Sequence, residues 1–472
     1  MAPALPPAFV ARMEDLLGAP GALSRLLEAR SRPAVRVNTL KTDEHEALRR
    51  LHALGVATEP VPFAPGVHFV DDPLGRPLGA LWEHRSGQLF FQDAASALPV
   101  LALDPRPGEA VLDLCAAPGG KSAHIAERMR NTGTLVANEP MAGRRYTLVS
   151  NLDRTGALNT IVTRFDGGRR RLPMRFDRVL VDAPCSNLGS IHTDWRPALA
   201  YTPERVRTLV GIQRALVETA FHALRPGGVL VYSTCTLEPE ENEGIVSWLL
   251  DRYPVEMEAV PAPLDAPGRT IVGGTRYRDE CALALRLHAG DVGTDGFFVA
   301  RLRKVQDAPE VAALGPIPSR RVAVRAADPP ILRGIVAEYG LRPGPLDGAH
   351  AFVSEQRVFA STAPEPDAAA AWMPERVGLD LAKREPDGWR LSFDATTLAG
   401  RGADRRLELP PEDARRWLAG GDAHAPRGAP WSVVTCRDEP LGCSRAFGPT
   451  LPSYVPKDRR VPQDGPFAGF LV

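Results

Sequence analysis

Short apolar runs and amphipathic stretches alternate through the middle of this chain, and that alternation restricts the fold more than any other feature. Seven runs read as strands: Ala110–Leu114, Thr134–Asn138, Thr160–Arg164, Arg178–Asp182, Gly228–Ser233, Ala282–Leu287 and Phe297–Leu302. Helical periodicity fills several gaps between them, at Ser122–Arg130, Ala142–Asp153, Pro203–Leu224 and Pro239–Asp251. Strands separated by helices predict an α/β fold with a doubly wound, mostly parallel seven-stranded sheet. The last two strands have little helix between them, so they are expected to form an antiparallel hairpin at the sheet edge. Residues 86–304 form this unit. Before it, residues 1–85 mix helix and strand signals as a small α+β module. After it, residues 305–372 read as a small subdomain and linker, and residues 373–472 as a compact β-rich module.

Lysine plus arginine and aspartate plus glutamate each number 57 in 472 residues, so no global field announces a polyanionic partner. RNA binding would have to rest on local patches. The only dense basic run is Arg169-Arg-Arg171, and such runs are usually solvated loops. Lysine is confined to Lys41, Lys121, Lys304, Lys383 and Lys457. The plain reading of that bias is a GC-rich genome, although arginine also suits phosphate. Six cysteines in a chain this long do not make a disulfide scaffold, and no pair has zinc-ligand spacing, so no metal is expected. Met1–Pro7 lacks the features of a signal peptide, and no apolar stretch reaches membrane-spanning length. A cytoplasmic location and no membrane partner are the expectations.

Chemistry concentrates at the carboxyl ends of the strand candidates, where open α/β sheets bind ligands. Val111-Leu-Asp-Leu-Cys-Ala-Ala-Pro-Gly-Gly-Lys-Ser122 runs from a strand through a Gly-rich turn into a helix, so a ligand can approach the backbone and the free N–H groups of the helix start. Gly120-Lys121-Ser122 matches the end of a phosphate-binding P-loop. That motif needs its first glycine where Cys115 stands, and Pro118 removes an amide, so a nucleotide hydrolase is a minor alternative. A nucleoside cofactor fits better. Glu139 ends the next strand, where a carboxylate takes ribose hydroxyls. Asp166 follows the third, suited to an adenine edge, and Asp182 ends the fourth.

Two further strand ends carry thiols, Cys185 in Val-Asp-Ala-Pro-Cys and Cys235 in Tyr-Ser-Thr-Cys-Thr. Neighbouring strands would face both into one pocket. Alone, each cysteine reads as a small buried hydrophobe. Together they read as a nucleophile and its helper, while Cys115, Cys281, Cys436 and Cys443 are assigned to structure.

Several stretches resemble the Nop/Sun family of S-adenosylmethionine-dependent RNA 5-methylcytosine methyltransferases, especially bacterial ribosomal RNA enzymes with an added C-terminal domain. They are Arg36-Val-Asn-Thr-Leu-Lys41, Asp113-Leu-Cys-Ala-Ala-Pro-Gly-Gly-Lys121, Asp182-Ala-Pro-Cys-Ser186, Ser233-Thr-Cys-Thr-Leu237, Pro239-Glu-Glu-Asn-Glu243 and Asp295-Gly-Phe-Phe-Val-Ala-Arg-Leu302. The resemblance spans about Phe9 to Lys304. Leu407–Leu418 and Pro440–Val461 resemble the family's PUA-like RNA-binding modules more weakly.

The resemblance implies a Rossmann-like methyltransferase domain between an N-terminal RNA-binding module and a PUA-like one. It implies that Cys235 is the nucleophile, that Cys185 acts afterwards to remove the carbon-5 proton and release product, and that Asp182 holds the cytosine. Carbon 5 of cytosine is a poor nucleophile, and a thiolate added at carbon 6 activates it. Cys115, Ala116, Ala117, Pro118, Gly119, Gly120, Lys121, Glu139, Arg144, Asp166 and Asp182 would line the S-adenosylmethionine site, with Lys121 also facing the reacting base. The implied substrate is RNA, either 16S ribosomal RNA, naked or in the assembled small subunit, or transfer RNA, with the base flipped into the pocket. A catalytically weak ribosome-assembly factor keeping the fold is the alternative from another class. One pocket per chain needs no partner chain, so a monomer is expected.

The chain departs from the family after Ser186. Where Gly-x-Gly and a basic pair usually follow, it has Asn187-Leu-Gly189 and then His192-Thr193. Asn187 still tolerates left-handed backbone. The lost basic pair points to a different RNA target, or to contacts supplied by another loop.

Overall fold

The computed structural model describes residues 5–18, 21–168, 172–308, 325–326, 329–342, 344–363, 372, 374–464 and 466–471. Arg169–Arg171 and the apolar piece Val322–Val324 lie outside them.

Among the described residues the central sheet has nine strands rather than the seven expected. Thr160–Thr163, Thr134–Asn138, Ala110–Asp113, Phe176–Asp182 and Leu224–Thr234 lie side by side and parallel. Phe297–Lys304 joins Leu224–Thr234 antiparallel, and Leu285–Leu287 pairs with it as the expected hairpin. Two strands have no clear sequence signal. Val255–Glu258 is a short alternating piece beyond Phe297–Lys304, and the two-residue strand Arg376–Val377 reaches back from the C-terminal region to pair with Thr160–Thr163.

Alternation along each strand divides the core in two. Val111, Leu135 and Leu180 face one cluster, while Leu112, Val136 and Val179 face the other. Both clusters are covered by helices, so the central strands are buried on both faces and read as continuous apolar runs. Helix Pro203–Ala223 shows how local sequence sets these covers: Pro203 opens it, and the side chain of Thr202 accepts the N–H of Arg205.

Two expected boundaries move. Leu89–Gln92 pairs with Ala34–Val37 in a four-stranded antiparallel sheet, so the N-terminal module runs to about residue 92 rather than 85. The division at residue 372 falls inside a sheet, because Arg357–Ser361 pairs with Leu379–Glu385. The remaining tail packs Phe393–Ala399 and Pro411–Leu418 against the strands Arg406–Glu408, Ser432–Cys436 and Glu439–Ser444.

The N- and C-terminal parts share one core. Trp82 is fully buried against Phe393 and Phe470. Beside it, the buried carboxylate of Glu439 accepts bonds from Arg50, Arg401, Trp82 and Gln88. The Arg36–Lys41 motif serves the same joint. Asn38 donates to the carbonyls of Gly87 and Thr155, and Lys41 to the carbonyl of Ser86 and the hydroxyl of Thr397.

Candidate active site

The strand ends bring the expected thiols together. Cys185 Sγ lies 3.4 Å from Cys235 Sγ, and Cys235 donates to Asn187 Oδ1 at 2.8 Å. The contact with Cys235, followed by burial, pushes the Cys185 thiol well up. The loop that carries Cys185 is bonded both to the Cys235 loop and to the segment before Phe297–Lys304. Gly189 N–H donates to the Cys235 carbonyl and Gly296 N–H to the Gly189 carbonyl. A Cβ on Gly189 would sit 2.1 Å from the Gly296 carbonyl oxygen, so only glycine permits this approach.

Glu241 holds the same loops from inside the protein. Its buried carboxylate accepts the Ser186 N–H, the Ser186 hydroxyl and the Gln213 amide. Burial pushes this carboxyl up despite those donors. Ser186 also meets Thr236 at 2.6 Å, which ties the residue after one thiol to the residue after the other.

Asp182 stands beside the thiols in a pair with Lys121 at 2.7 Å. Its other oxygen accepts the Ser233 hydroxyl at 2.7 Å, and Ser233 is its register partner on the neighbouring strand. Burial lowers the Lys121 ammonium, but Asp182, with smaller help from Cys235 and Asp113, outweighs it and the group moves up. Lys121 therefore stays charged next to the sulfurs. Its Nζ lies 5.5 Å from the centre of the Phe297 ring.

The Gly-rich turn forms the other half of the site. Ala116 N–H donates to the Asn138 carbonyl, and the Pro118 carbonyl accepts from Asn151. Gly119 takes a φ of 108° before helix Gly120–Arg128, and a Cβ on Gly120 would sit 3.0 Å from the Phe90 ring. Glu139 is buried; it accepts the Met141 N–H at 2.8 Å and pairs with Arg144 at 3.4 Å. Arg144 also donates to the Ala117 carbonyl, linking the turn to the second strand end. Burial pushes the Cys115 thiol well up. Asp166 is exposed and caps Gly168 N–H; among the described residues it makes no bond to the other site groups.

Asp113 adds a group that sequence reading left unused. Burial pushes its carboxyl up to about 7; one oxygen accepts from Ser122, and the other is buried without a partner. A buried orphan oxygen, acids at successive strand ends and an approachable glycine turn suit a ligand carrying a ribose and a purine edge. No His, Cys, Asp or Glu group among the described residues has the arrangement of a metal site.

Asn187, Ser233 and Glu241 were not assigned roles from sequence. Ser233 and Glu241 lie within matched motifs, but only the three-dimensional register reveals their partners. His192, at the place of the usual basic pair, is withdrawn from solvent: it meets Ser31 at 2.8 Å and Asp295 at 3.3 Å. It joins Ser31 of the N-terminal module and Asp295 to the loop that follows Cys185.

Comparison with known proteins finds relatives over 96% of the chain. Residues 100–303 match the family described as 16S rRNA methyltransferase RsmB/F, and residues 5–94 match the N-terminal domain of 16S rRNA methyltransferase RsmF. Ribosomal RNA small subunit methyltransferase F of Escherichia coli O157:H7 is 34% identical over 473 residues, covering 96% of each chain. The protein of the same description from Shigella dysenteriae serotype 1 is also 34% identical, again over 96% of each chain. Among solved structures, a methyltransferase homolog protein from Pyrococcus horikoshii is 35% identical with a TM-score of 0.56, over 63% of this chain and 94% of that one. NSun6 from Pyrococcus horikoshii with SFG is 25% identical with a TM-score of 0.55, over 64% and 99%. With paired strand-end thiols on a methyltransferase fold and end-to-end likeness to these relatives, the chain belongs to the RsmF-type ribosomal RNA methyltransferases of the Nop/Sun family.

Proposed function

We propose that the protein methylates carbon 5 of cytosine in 16S ribosomal RNA, through a covalent bond between Cys235 and carbon 6 of the base. The observation that carries this reading is the pair of thiols 3.4 Å apart beside the Lys121–Asp182 ion pair. The full-length likeness to proteins described as small-subunit ribosomal RNA methyltransferases supports the substrate.

The donor in this reading is S-adenosylmethionine, which supplies an electrophilic methyl group. Residues 115–121 would hold it by their backbone, Glu139 by its carboxylate at the ribose, and Asp166 at the adenine edge, with Arg144 fixing Glu139 and the turn. Cys235 gives its proton to solvent as it bonds to carbon 6, because the thiolate is the nucleophile. The ammonium of Lys121 balances the negative charge that gathers near the sulfurs and the base. Asp182, oriented by Lys121 and Ser233, accepts from the exocyclic amine of cytosine. Cys185, kept protonated at rest, gives its own proton to solvent once Cys235 is bonded to the base. Its thiolate then takes the carbon-5 proton, the electrons of that C–H bond re-form the 5,6 double bond, and the carbon 6–sulfur bond breaks to release Cys235 as thiolate. Two neighbouring thiols share this work because two anions 3.4 Å apart repel strongly. Residues 1–92 and the C-terminal β-rich module, here read as PUA-like, would grip the RNA, and one chain acts as a cytoplasmic monomer.

The test is transfer of labelled methyl groups from S-adenosylmethionine to small-subunit RNA, followed by nucleoside analysis. Label in 5-methylcytidine with the native chain, and none with Cys235→Ala, is the expected result. Label in another nucleoside would overturn the assignment.

A further inference from the structure

We propose that Asn187 is a positioning residue whose side-chain oxygen latches the Cys235 sulfhydryl by a hydrogen bond and keeps it quiet until a base enters the pocket. The inference rests on the reading of Cys235 as the nucleophile. Asn187 occupies the place of a glycine in the family pattern. Its backbone is left-handed, with φ 59° and ψ 36°, a conformation that asparagine reaches more readily than most side-chain-bearing residues. Glycine would meet the backbone requirement equally well, so conformation alone does not explain an amide here.

The amide touches the chemistry directly. Its side-chain oxygen accepts from Cys235 Sγ at 2.8 Å, and its backbone N–H points to Cys185. With Cys235 donating to the amide, the remaining proton between the sulfurs runs from Cys185 to Cys235 across 3.4 Å. Cys185 then donates to Cys235 and Cys235 to the Asn187 side chain, with the Asn187 backbone N–H turned toward Cys185. An oxygen acceptor favours S–H over the anion, since a carbonyl dipole faces a thiolate with its negative end. Lys121 pulls the other way from across the pocket. Among the described residues the neighbouring polar groups are engaged elsewhere: Ser233 is committed to Asp182, and Glu241 to Ser186 and Gln213. Attack on a base therefore begins by breaking the Asn187 contact.

The test uses the full-length protein without RNA. Iodoacetamide alkylation at pH 7 is followed by mass spectrometry on the peptide carrying Cys235. Asn187→Gly keeps the backbone and deletes the acceptor, so alkylation of Cys235 is expected to rise about fivefold, the factor an ordinary hydrogen bond carries. Asn187→Asp replaces the amide with an anion and should slow it by a similar factor. Unchanged melting and unchanged S-adenosylhomocysteine binding show that each variant is folded. An Asn187→Gly rate equal to the native one would reduce Asn187 to a backbone role. A slower rate would mean that the amide donates to sulfur rather than accepting. Either result overturns the latch. Because no RNA is present, its failure is separate from failure of the methylation reading, which the nucleoside analysis decides.

Discussion

At Lys121 two effects oppose each other, and the winner sets the charge of the site. Burial disfavours the ammonium, but Asp182 at 2.7 Å favours it more, so a cation is kept beside two sulfurs in a mostly buried pocket. Lys121→Met preserves the alkyl chain near Phe297 and removes only the charge. Methyl transfer should then fall at least about 100-fold, the usual loss when a preorganised electrostatic group is deleted at a reacting centre. Steady-state kcat on ribosomal RNA measures it, and a loss under tenfold would mean that the ion pair serves structure alone. The residue scale is also where sequence was most legible. Cys185, Cys235, Asp182 and Lys121 converge because each follows an apolar strand run in a parallel sheet. Asn187 and Ser233 were not legible, because a role that depends on facing a particular atom of another loop leaves no spacing signature.

The elements that matter are the two loops after Phe176–Asp182 and Leu224–Thr234. They approach so closely that Gly189 contacts the Cys235 and Gly296 backbones. Gly189→Ala must push its loop away from the segment just before Phe297–Lys304, since the clash at 2.1 Å is with the Gly296 backbone and not with a movable side chain. It should cost about 3 kcal/mol, on the scale of severe overpacking. Activity should drop with it, as seen by chemical denaturation together with the methylation assay. Element type was predictable here for the same reason that the sheet was: parallel strands buried on both faces leave long apolar runs. Val255–Glu258 and Arg376–Val377 escaped because edge strands are short, and the pairing of Arg376–Val377 depends on a contact more than two hundred residues away in sequence.

Across the whole molecule, the two ends of the chain close on each other around Trp82 and Glu439. The Glu439 carboxyl is almost wholly buried. Burial raises it, but Arg50 and the other donors outweigh that and hold it below the ordinary range. A depressed carboxyl adds stability above its unfolded value, and that contribution is lost as pH falls through the folded value. Glu439→Gln leaves Arg50 and Arg401 facing a neutral amide, so about 3 kcal/mol should disappear at pH 7. The gap between native and variant melting temperatures should narrow as the pH is lowered toward the acid range; a gap that widens would reject the charge network as the cause. Local sequence carried no trace of this joint, because Arg50 and Glu439 meet only after the central domain has brought the ends together. The same domain frames the central claim, that Cys235 bonds covalently to RNA and Cys185 is needed to let it go. Cys185→Ser, mixed with S-adenosylmethionine and small-subunit RNA, should accumulate a protein–RNA adduct that survives denaturation and vanishes when Cys235 is also replaced. Absence of any adduct, with S-adenosylmethionine still bound, would contradict the two-thiol account.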